Sequence, residues 1–364
     1  MIGAQICVYS QASYIKLTRP FMERKMAIYW TDFLFSYAAL ITGGGLWLFA
    51  STAVAIIGLI FGVYAAYRCG SFMHEIVHFN RKKSGEMAFK GAWNIMFGIP
   101  IMSPSVLYDS HLEHHMPDSF GTIRDPEYVP INNRSYFGLA NFVFGHVLGP
   151  ISMVALRMLL NPLIWIFPSL GKKLMNGKGT ALVINWDYVP TGKQPPTSFD
   201  RFAIVAATAL LYAYIALIIS GIIPLLIAGK ILVLVIVSMI MNGIRTLVAH
   251  RYENYDGESV NKQAQLTDSI NLVGNPVIGG LFAPVGLRFH ALHHLVQTLP
   301  YHGLAKAHAK LMEELPADDA YRTVNETYYV FGIRHFNWRN FFKNTVMYNA
   351  IYRCCIDFID IFFI

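Results

Sequence analysis

The amino-acid sequence predicts an all-α integral membrane protein, with four transmembrane helices in two hairpins and a cytosolic helical cap that carries three histidine-rich motifs. Two observations predict this fold class. Hydrophobic residues make up 54% of the 364 residues and charged residues only 14%, whereas a soluble domain carries about 25% charged residues. The apolar residues also form uncharged runs long enough to cross a bilayer. We expect residues 1–364 to form a single domain.

The first two spans lie in an uncharged run of 35 residues from Phe33 to Tyr67. One span needs about 20 apolar residues, so this run, extended slightly at each end, holds two. We place the spans at about 27–48 and 51–72, with a short turn near Ala50–Ser51. These helices form the first predicted hairpin.

The second pair of spans begins after Arg201 and is interrupted by one charge, at Lys230. We place these spans at about 203–222 and 226–247, with a turn at 221–224. Lys230 then lies close to the outer membrane surface, and we expect its long side chain to extend to that surface.

Basic residues predict which side of the membrane holds the termini and the middle segment. Of the 29 Lys and Arg residues, all but Lys230 fall on the same side as the chain ends. Positive charge is enriched on the cytosolic side of membrane proteins, so we expect the cap to be cytosolic. The membrane is the inner membrane if the source is bacterial and the endoplasmic reticulum if it is eukaryotic. The topology accounts for the net charge of +7 without a nucleic-acid partner.

Two further apolar stretches are interpreted as helices that lie on the membrane surface. Residues 91–108 contain two prolines and are short for a span, and residues 135–171 contain several glycines and polar residues. Such amphipathic segments are typical of interfacial helices. If 135–156 alone crossed the membrane, the histidine motifs on either side of it would face opposite surfaces.

Eight of the 13 histidines fall into three motifs whose members lie one, three or four residues apart. Residues three or four apart share one face of a helix, so each motif directs two or three imidazoles to one point. Imidazole binds iron, zinc, copper and nickel, and the spacing alone does not identify the metal. Eight histidines exceed the needs of one tetrahedral zinc site and indicate two ions. The motif histidines are His74 and His78; His111, His114 and His115; and His290, His293 and His294.

His250 is a ninth candidate ligand because it follows the fourth predicted span at the same membrane level as His74. The isolated histidines, by contrast, are interpreted as packed or hydrogen-bonded residues without a metal role. We expect no catalytic side chain beyond the metal ligands.

The motifs H-x-x-x-H, H-x-x-H-H and H-x-x-H-H, in this order and separated by a second hydrophobic hairpin, resemble those of the membrane fatty acid desaturase family. The resemblance covers about residues 26–310. It implies two Fe²⁺ ions held by the eight motif histidines and His250, with O₂ as co-substrate and a fatty acyl lipid as substrate. In acyl-CoA members of the family an Asn lies four residues before the ligand that corresponds to His250, and this chain has Thr246 at that position.

The resemblance also implies electrons from a separate protein such as ferredoxin or cytochrome b5. The chain contains no haem-binding His-Pro-Gly-Gly segment and no rubredoxin-type cysteine pairs. The expected reaction is desaturation of a lipid-linked or free fatty acyl chain. Hydroxylation and decarboxylation to a terminal alkene remain alternatives within the family, because the sequence does not report where the substrate carbon sits.

A metal-ligating imidazole usually donates its second N–H to an acceptor that fixes the orientation of the ring. The polar residues nearest the motifs are therefore candidates for this orienting role: Glu75, Asp109, Glu113, Glu253, Asp268 and Asn271.

A divalent metal transporter is the alternative from a different class. Transport sites lie near the middle of the bilayer and use ionisable residues within the spans. Here the histidines cluster beyond the ends of the predicted spans, which favours an enzyme.

Overall fold

The computed structural model describes residues 11–128, 147, 155–169, 185, 188, 196–254 and 257–327. Within these residues the chain is mostly helical, and the one sheet has two strands of two residues each. This composition confirms the predicted all-α class. Most of the predicted surface segment 135–171 lies outside the described residues. The main exception is an apolar helix, α6 (Ala155–Ile166).

Four of the described helices are long and apolar enough to cross a membrane, and each lies at a predicted span. In chain order, α1 is the short helix Gln11–Thr18 and the long helices are α2 (Met26–Phe49), α3 (Thr52–Val77), α7 (Ser198–Ile219) and α8 (Leu225–Leu247). Helix α3 extends five residues beyond its predicted end and therefore includes His74. The membrane class is confirmed, whereas the cytosolic placement of the cap stays a prediction.

Helices α2 and α3 pack closely because glycines remove the side chains at their contact. A Cβ atom built on Gly58 would lie 2.6 Å from the backbone nitrogen of Trp47, and one built on Gly43 would lie 2.6 Å from the nitrogen of Gly62. Small residues of this kind allow close backbone approach between helices in membranes. Two residues, Ala50 and Ser51, connect the helices.

Lys230 reaches the C-terminal end of α2. Its ammonium group donates to the backbone oxygens of Trp47 and Leu48, at 3.0 and 3.3 Å, and lies 5.0 Å from the centre of the Trp47 ring. The Trp47 indole N–H in turn donates to the backbone oxygen of Lys230 at 2.8 Å. A positive charge at the C-terminus of a helix satisfies its free carbonyls and its dipole, so Lys230 joins α8 to the end of α2.

The expected surface helix 91–108 is divided in the structure. Helix α4 (Ser84–Trp93) continues into one π-helical turn, Asn94–Gly98, and the chain then turns before a 3₁₀ helix, Ser105–Tyr108. Pro100 and Pro104 cannot supply the amide hydrogens that a continuous helix needs. Asn94 spans the break, because its amide donates to Ser105 Oγ and its oxygen accepts from Ser105 N.

Helix α4 is fixed to the long helices by aromatic packing and by one buried ion pair. Trp93 and Phe89 are fully buried, and the Trp93 indole donates to the backbone oxygen of Cys69 at 2.9 Å. The ammonium of Lys90 lies 2.8 Å from Asp200 in the first turn of α7. Asp200 also forms a capping box with Thr197, which fixes where α7 begins.

Five further described helices form a layer at the end of the long helices where α3 and α8 finish. A parallel pairing of β1 (Asn271–Leu272) with β2 (Asn325–Glu326) lies in this layer. Tyr14 of α1 donates to Asp319 at 2.8 Å and ties this helix to the segment that follows Tyr301–Glu314. The helices of the layer are α5 (His111–His114), α9 (Lys262–Asp268), α10 (Pro276–Phe282), α11 (His290–Leu295) and α12 (Tyr301–Glu314).

The glycine contact between α2 and α3 yields a stability prediction. Replacing Gly58 with Ala forces the helices apart and should lower the free energy of unfolding by roughly 1–3 kcal/mol, as overpacking does elsewhere. The matched control is Gly45→Ala in α2, where a new Cβ meets nothing within 4 Å; it should be neutral or slightly stabilising. Thermal unfolding in detergent measures both. A Gly58→Ala protein as stable as the control would contradict the close packing.

The predicted orientation is tested by labelling single cysteines introduced at Lys82 and Ser220, which are exposed at opposite ends of the long helices. The background replaces Cys7, Cys354 and Cys355 with Ser and keeps Cys69, which is buried. In sealed bacterial cells an impermeant maleimide should label the cysteine at 220, and the cysteine at 82 only after permeabilisation. The reverse pattern would place the histidine motifs outside the cytosol.

Candidate metal centre

The three histidine motifs and His250 occupy positions where helices start or end. His74 lies in the last turn of α3 and His78 is its C-cap residue. Helices α5 and α11 begin at His111 and His290, and His250 follows the end of α8 by three residues. The structure therefore brings all nine predicted ligands together between the long helices and the helical layer.

The nine imidazoles form two adjacent groups. Within each group, one ring nitrogen from every member lies within 4.8 Å of one from every other member. Eight of the nine side chains are buried and His78 is partly buried. The first group comprises His74, His78, His111, His115 and His293, and the second comprises His114, His250, His290 and His294.

Hydrogen bonds among the imidazoles cannot account for this arrangement. His250 Nε2 lies 3.2 Å from His114 Nε2 and 2.9 Å from His290 Nε2. His293 Nε2 likewise faces His78 Nε2 at 3.0 Å and His115 Nε2 at 3.1 Å. A ring nitrogen carries either one hydrogen or one lone pair, so it forms only one of the two bonds. A cation among the nitrogens would satisfy all of them, and this donor set fits a metal ion in each group.

His74 gives a second indication of a metal. Its side chain is buried, and neither ring nitrogen forms a hydrogen bond with a described residue. Leaving a buried polar group without a partner costs about 1–3 kcal/mol. Because the His74 ring lies 4.3 Å from the His293 ring and 4.6 Å from the His111 ring, centre to centre, its lone pair is available to the ion of the first group.

The protonation of the cluster suits metal binding. Burial, and then the charge of neighbouring histidines, lowers the pKa of these side chains well below the usual value for His78, His115, His290, His293 and His294. Neutral imidazole is the form that ligates metal ions. These five side chains therefore stay neutral and ready to bind at physiological pH.

Two carboxylates that the sequence interpretation missed orient ligands from the second motif. Asp125 is fully buried and lies 2.9 Å from His114 Nδ1, and Glu127 lies 2.6 Å from His111 Nδ1. Burial raises the pKa of Glu127, but His111 outweighs burial and holds this pKa at about 2. For His114, burial lowers the pKa and Asp125 raises it above its usual value. The sequence signal for these two carboxylates was the Asp-Pro-Glu segment at 125–127, which follows the second motif.

Asp268 is a predicted orienting residue that does reach a ligand. Its Oδ2 lies 3.4 Å from His250 Nδ1, and its Oδ1 accepts from the backbone N–H of Glu253 at 2.7 Å. Tyr128 also donates to Oδ1, at 3.2 Å. The carboxylate is thus held in place by three neighbours, while the Glu253 side chain itself is exposed.

The other candidates have different partners. Glu75 accepts hydrogen bonds from the Tyr29 hydroxyl and the Tyr301 backbone, because the residue after His74 points to another side of α3. Asp109 pairs with Arg81 at 3.4 Å.

Glu113 bonds to the Tyr188 hydroxyl. Asn271 accepts from the backbone N–H of Leu292 at 3.0 Å and so holds the helix of the third motif in place. These two residues support the site without a described contact to an imidazole nitrogen.

Two isolated histidines, His302 and His308, form hydrogen bonds away from the metal centre, whereas His146 and His335 lie outside the described residues. His302 Nε2 accepts from the backbone N–H of Lys25 at 3.1 Å, and His308 bonds to the Tyr321 hydroxyl at 2.8 Å. The Thr246 hydroxyl donates to the backbone oxygen of Asn242 at 2.9 Å, so it is engaged within α8.

Comparison with known proteins agrees with this arrangement. Residues 50–325 match the family model described as fatty acid desaturase, and this range contains all nine histidines. The chain is 36% identical over 316 residues to a ceramide hydroxylase from Caulobacter vibrioides (strain NA1000 / CB15N); the match covers 86% of this chain and 88% of the relative. No solved structure matches the chain.

The two carboxylates predict that each metal ion can be weakened separately. Asp125→Asn should weaken the ion of the second group and Glu127→Gln that of the first, because loss of an orienting partner lowers metal affinity about 10- to 100-fold. Metal content per chain, measured after dialysis against a graded chelator, should fall from two to one in either variant and to none in the double variant. Glu258→Gln, at an exposed position, is the control. Full occupancy in the double variant would contradict the orienting role.

Proposed function

Because the chain belongs to the fatty acid desaturase family, we propose that it is an O₂-dependent oxidase that acts on the acyl chain of a membrane lipid. The proposal rests on one observation above all: nine imidazoles converge in two groups at the ends of membrane-spanning helices. The proposed ligands are the eight motif histidines and His250. Two iron ions bound there would supply the activation of O₂ that oxidation of an unactivated C–H bond requires.

The residues of the chain have a distinct part in this chemistry. The buried imidazoles exclude water, and Asp125, Glu127 and Asp268 fix the orientation of the rings that they contact. A fixed and dry ligand set keeps reactive oxygen away from side reactions and holds the ions in one geometry.

The substrate reaches the site from the bilayer, because His74 lies in the last turn of α3 and His250 follows the end of α8, and both helices are candidate membrane spans. Reduction of O₂ takes four electrons. The C–H substrate supplies two, an external donor such as ferredoxin or cytochrome b5 supplies the other two, and two protons come from the solvent. With these inputs desaturation yields an alkene and two water molecules, whereas hydroxylation yields an alcohol and one.

Desaturation and hydroxylation are each favoured by a specific observation. The histidine motifs and the matched family model support a desaturase. The relative named ceramide hydroxylase supports insertion of oxygen, and with it an N-acylated lipid as substrate. The two reactions share the same first event, loss of hydrogen from a carbon beside the metals, so we propose oxidation of an acyl-chain carbon as the common function.

Lipid analysis with labelled oxygen tests the proposal. Cells expressing the wild-type chain under ¹⁸O₂ should contain a new lipid that the His293→Ala, His294→Ala double variant lacks. An added ¹⁸O atom identifies hydroxylation, and loss of two hydrogens without label identifies desaturation. His302→Ala, which changes a histidine outside both groups, is the control and should keep the product.

A transporter would behave differently in the same cells. It would change the cellular content of a divalent metal and leave the lipids unaltered. An unchanged lipid profile from an expressed protein that retains two irons and receives reduced ferredoxin would overturn the oxidase proposal.

A further inference from the structure

A further uncharged segment precedes the third histidine motif. No charged residue occurs in the 19 residues from Ser269 to Leu287, and helix α10 lies within this segment. The segment also contains Pro276, Pro284 and four glycines, which break a continuous helix. The composition therefore indicates an apolar environment, and the breaks exclude a transmembrane helix at this position.

Helix α10 turns its large apolar side chains outward. Val277 is 68% exposed, Ile278 53% and Leu281 52%. Because residues three or four apart share one face of a helix, these side chains form one apolar surface. The other face is turned inward, where Gly279 is buried. A contiguous exposed apolar surface marks contact with a membrane or with another protein.

A hydrogen bond fixes the depth of α10 along the membrane spans. The backbone oxygen of Phe282, the last residue of α10, accepts from the Tyr67 hydroxyl of α3 at 2.8 Å. Tyr67 lies 15 residues after Thr52, where α3 begins on the side away from the metal centre, or about 22 Å along the helix axis. The hydrocarbon layer is about 30 Å thick, and aromatic side chains lean toward the N-terminus of their helix. The end of α10 therefore lies within this layer, and a tilt of α3 would only place it deeper.

Side chains satisfy the backbone at both ends of α10. The Asn275 side chain accepts from the backbone N–H groups of Val277 and Ile278 at 2.9 and 3.2 Å, and Arg288 donates to the backbone oxygen of Pro276 at 3.1 Å. A tyrosine hydroxyl of α3 serves the oxygen at the other end. Helix ends in hydrocarbon need such partners, because no water is present there to bond with free N–H and C=O groups.

The segment that contains α10 covers the lipid-facing side of α8. Ile240 and Ile244 are 40% and 45% exposed, whereas Val248, one turn further along, is fully buried. Val248 belongs to a cluster with Ala283 and Leu287, which follow α10. Because residues four apart share a face, these residues continue the apolar surface that α8 presents to lipid. This continuity favours hydrocarbon over a partner protein as the neighbour of α10.

We propose that α10 is a re-entrant helix, which enters the hydrocarbon layer from the side of the metal centre and leaves on the same side. Its partner is the acyl-chain region of the bilayer, which contacts Val277, Ile278 and Leu281. Arg288 ends the uncharged segment, and its long side chain suits the return to the polar interface. The third motif begins eight residues after α10 ends, so the bilayer anchors the segment that leads to these metal ligands. The inference rests on the membrane spans and is independent of the reaction.

The depth of a fluorescent label on α10 in lipid vesicles tests the proposal. The metal-loaded full chain carries one introduced cysteine, at Leu281, in the background whose one native cysteine is the buried Cys69. The vesicle lipids carry a nitroxide either high in the acyl chain or on the headgroup, and iodide quenches from the water. Each intensity is divided by that of the same labelled protein without quencher, which removes any constant effect of the metals.

Two reference positions calibrate the label. Ile244→Cys lies on the lipid-facing side of α8, and Lys82→Cys is exposed beyond the end of α3. The label at 281 should lose more fluorescence to the acyl-chain nitroxide than to the headgroup nitroxide or iodide, as the label at 244 does. The label at 82 should be quenched by iodide and spared by the acyl-chain nitroxide. If Leu281→Cys does not retain two metal ions, Ile278→Cys takes its place.

Stronger quenching of the α10 label by the headgroup nitroxide or by iodide would overturn the inference, because α10 would then lie on the membrane surface or in water. Protection from all three quenchers would also overturn it, since a second copy of the chain or another protein would then cover the helix.

Discussion

A central imidazole nitrogen cannot hydrogen-bond to both of its imidazole neighbours, and the rest of this structure depends on that constraint. Each of the central Nε2 atoms faces two others at hydrogen-bond distance and can bond to only one of them. Without cations the cluster would bury lone pairs against lone pairs or protons against protons. With two dications, neutral ligands leave the positive charge uncompensated, and carboxylates behind the rings are what restore balance. Asp125, Glu127 and Asp268 stand in those positions.

The surrounding helices hold the motifs by their backbones. In the second motif, the backbone oxygens of His114 and His115 accept from Gln265 and Lys262 of α9. In the third, Asn271 of the small sheet accepts from the Leu292 N–H. Bonds to the backbone leave the imidazoles free for the ions and fix the helix ends from which they project. The layer at the end of the spans is therefore a frame for three short histidine segments that could not keep their positions alone.

The features of the fold and the site that could be predicted from the sequence are those that depend on residue spacing within one helix. The four spans and all nine histidines were predicted, because hydrophobic length and intervals of three or four residues act within one helix. The orienting carboxylates depend on the path of the chain between elements. Asp125 reaches His114 across 11 residues of turns, whereas Glu75, adjacent to a ligand, points away because successive helical residues diverge by about 100°. Proximity in sequence was therefore a poor guide to contact. The prediction of one continuous helix at 91–108 was wrong for a similar reason, because Asn94 stabilises a break in the helix that hydropathy cannot predict.

The metals and their histidines do not determine which carbon is oxidised or whether oxygen is inserted. Those outcomes follow from where the substrate is held, and the candidate determinants lie outside the histidine groups. The motifs thus specify the metal site, and the residues that surround the substrate specify the position that is oxidised.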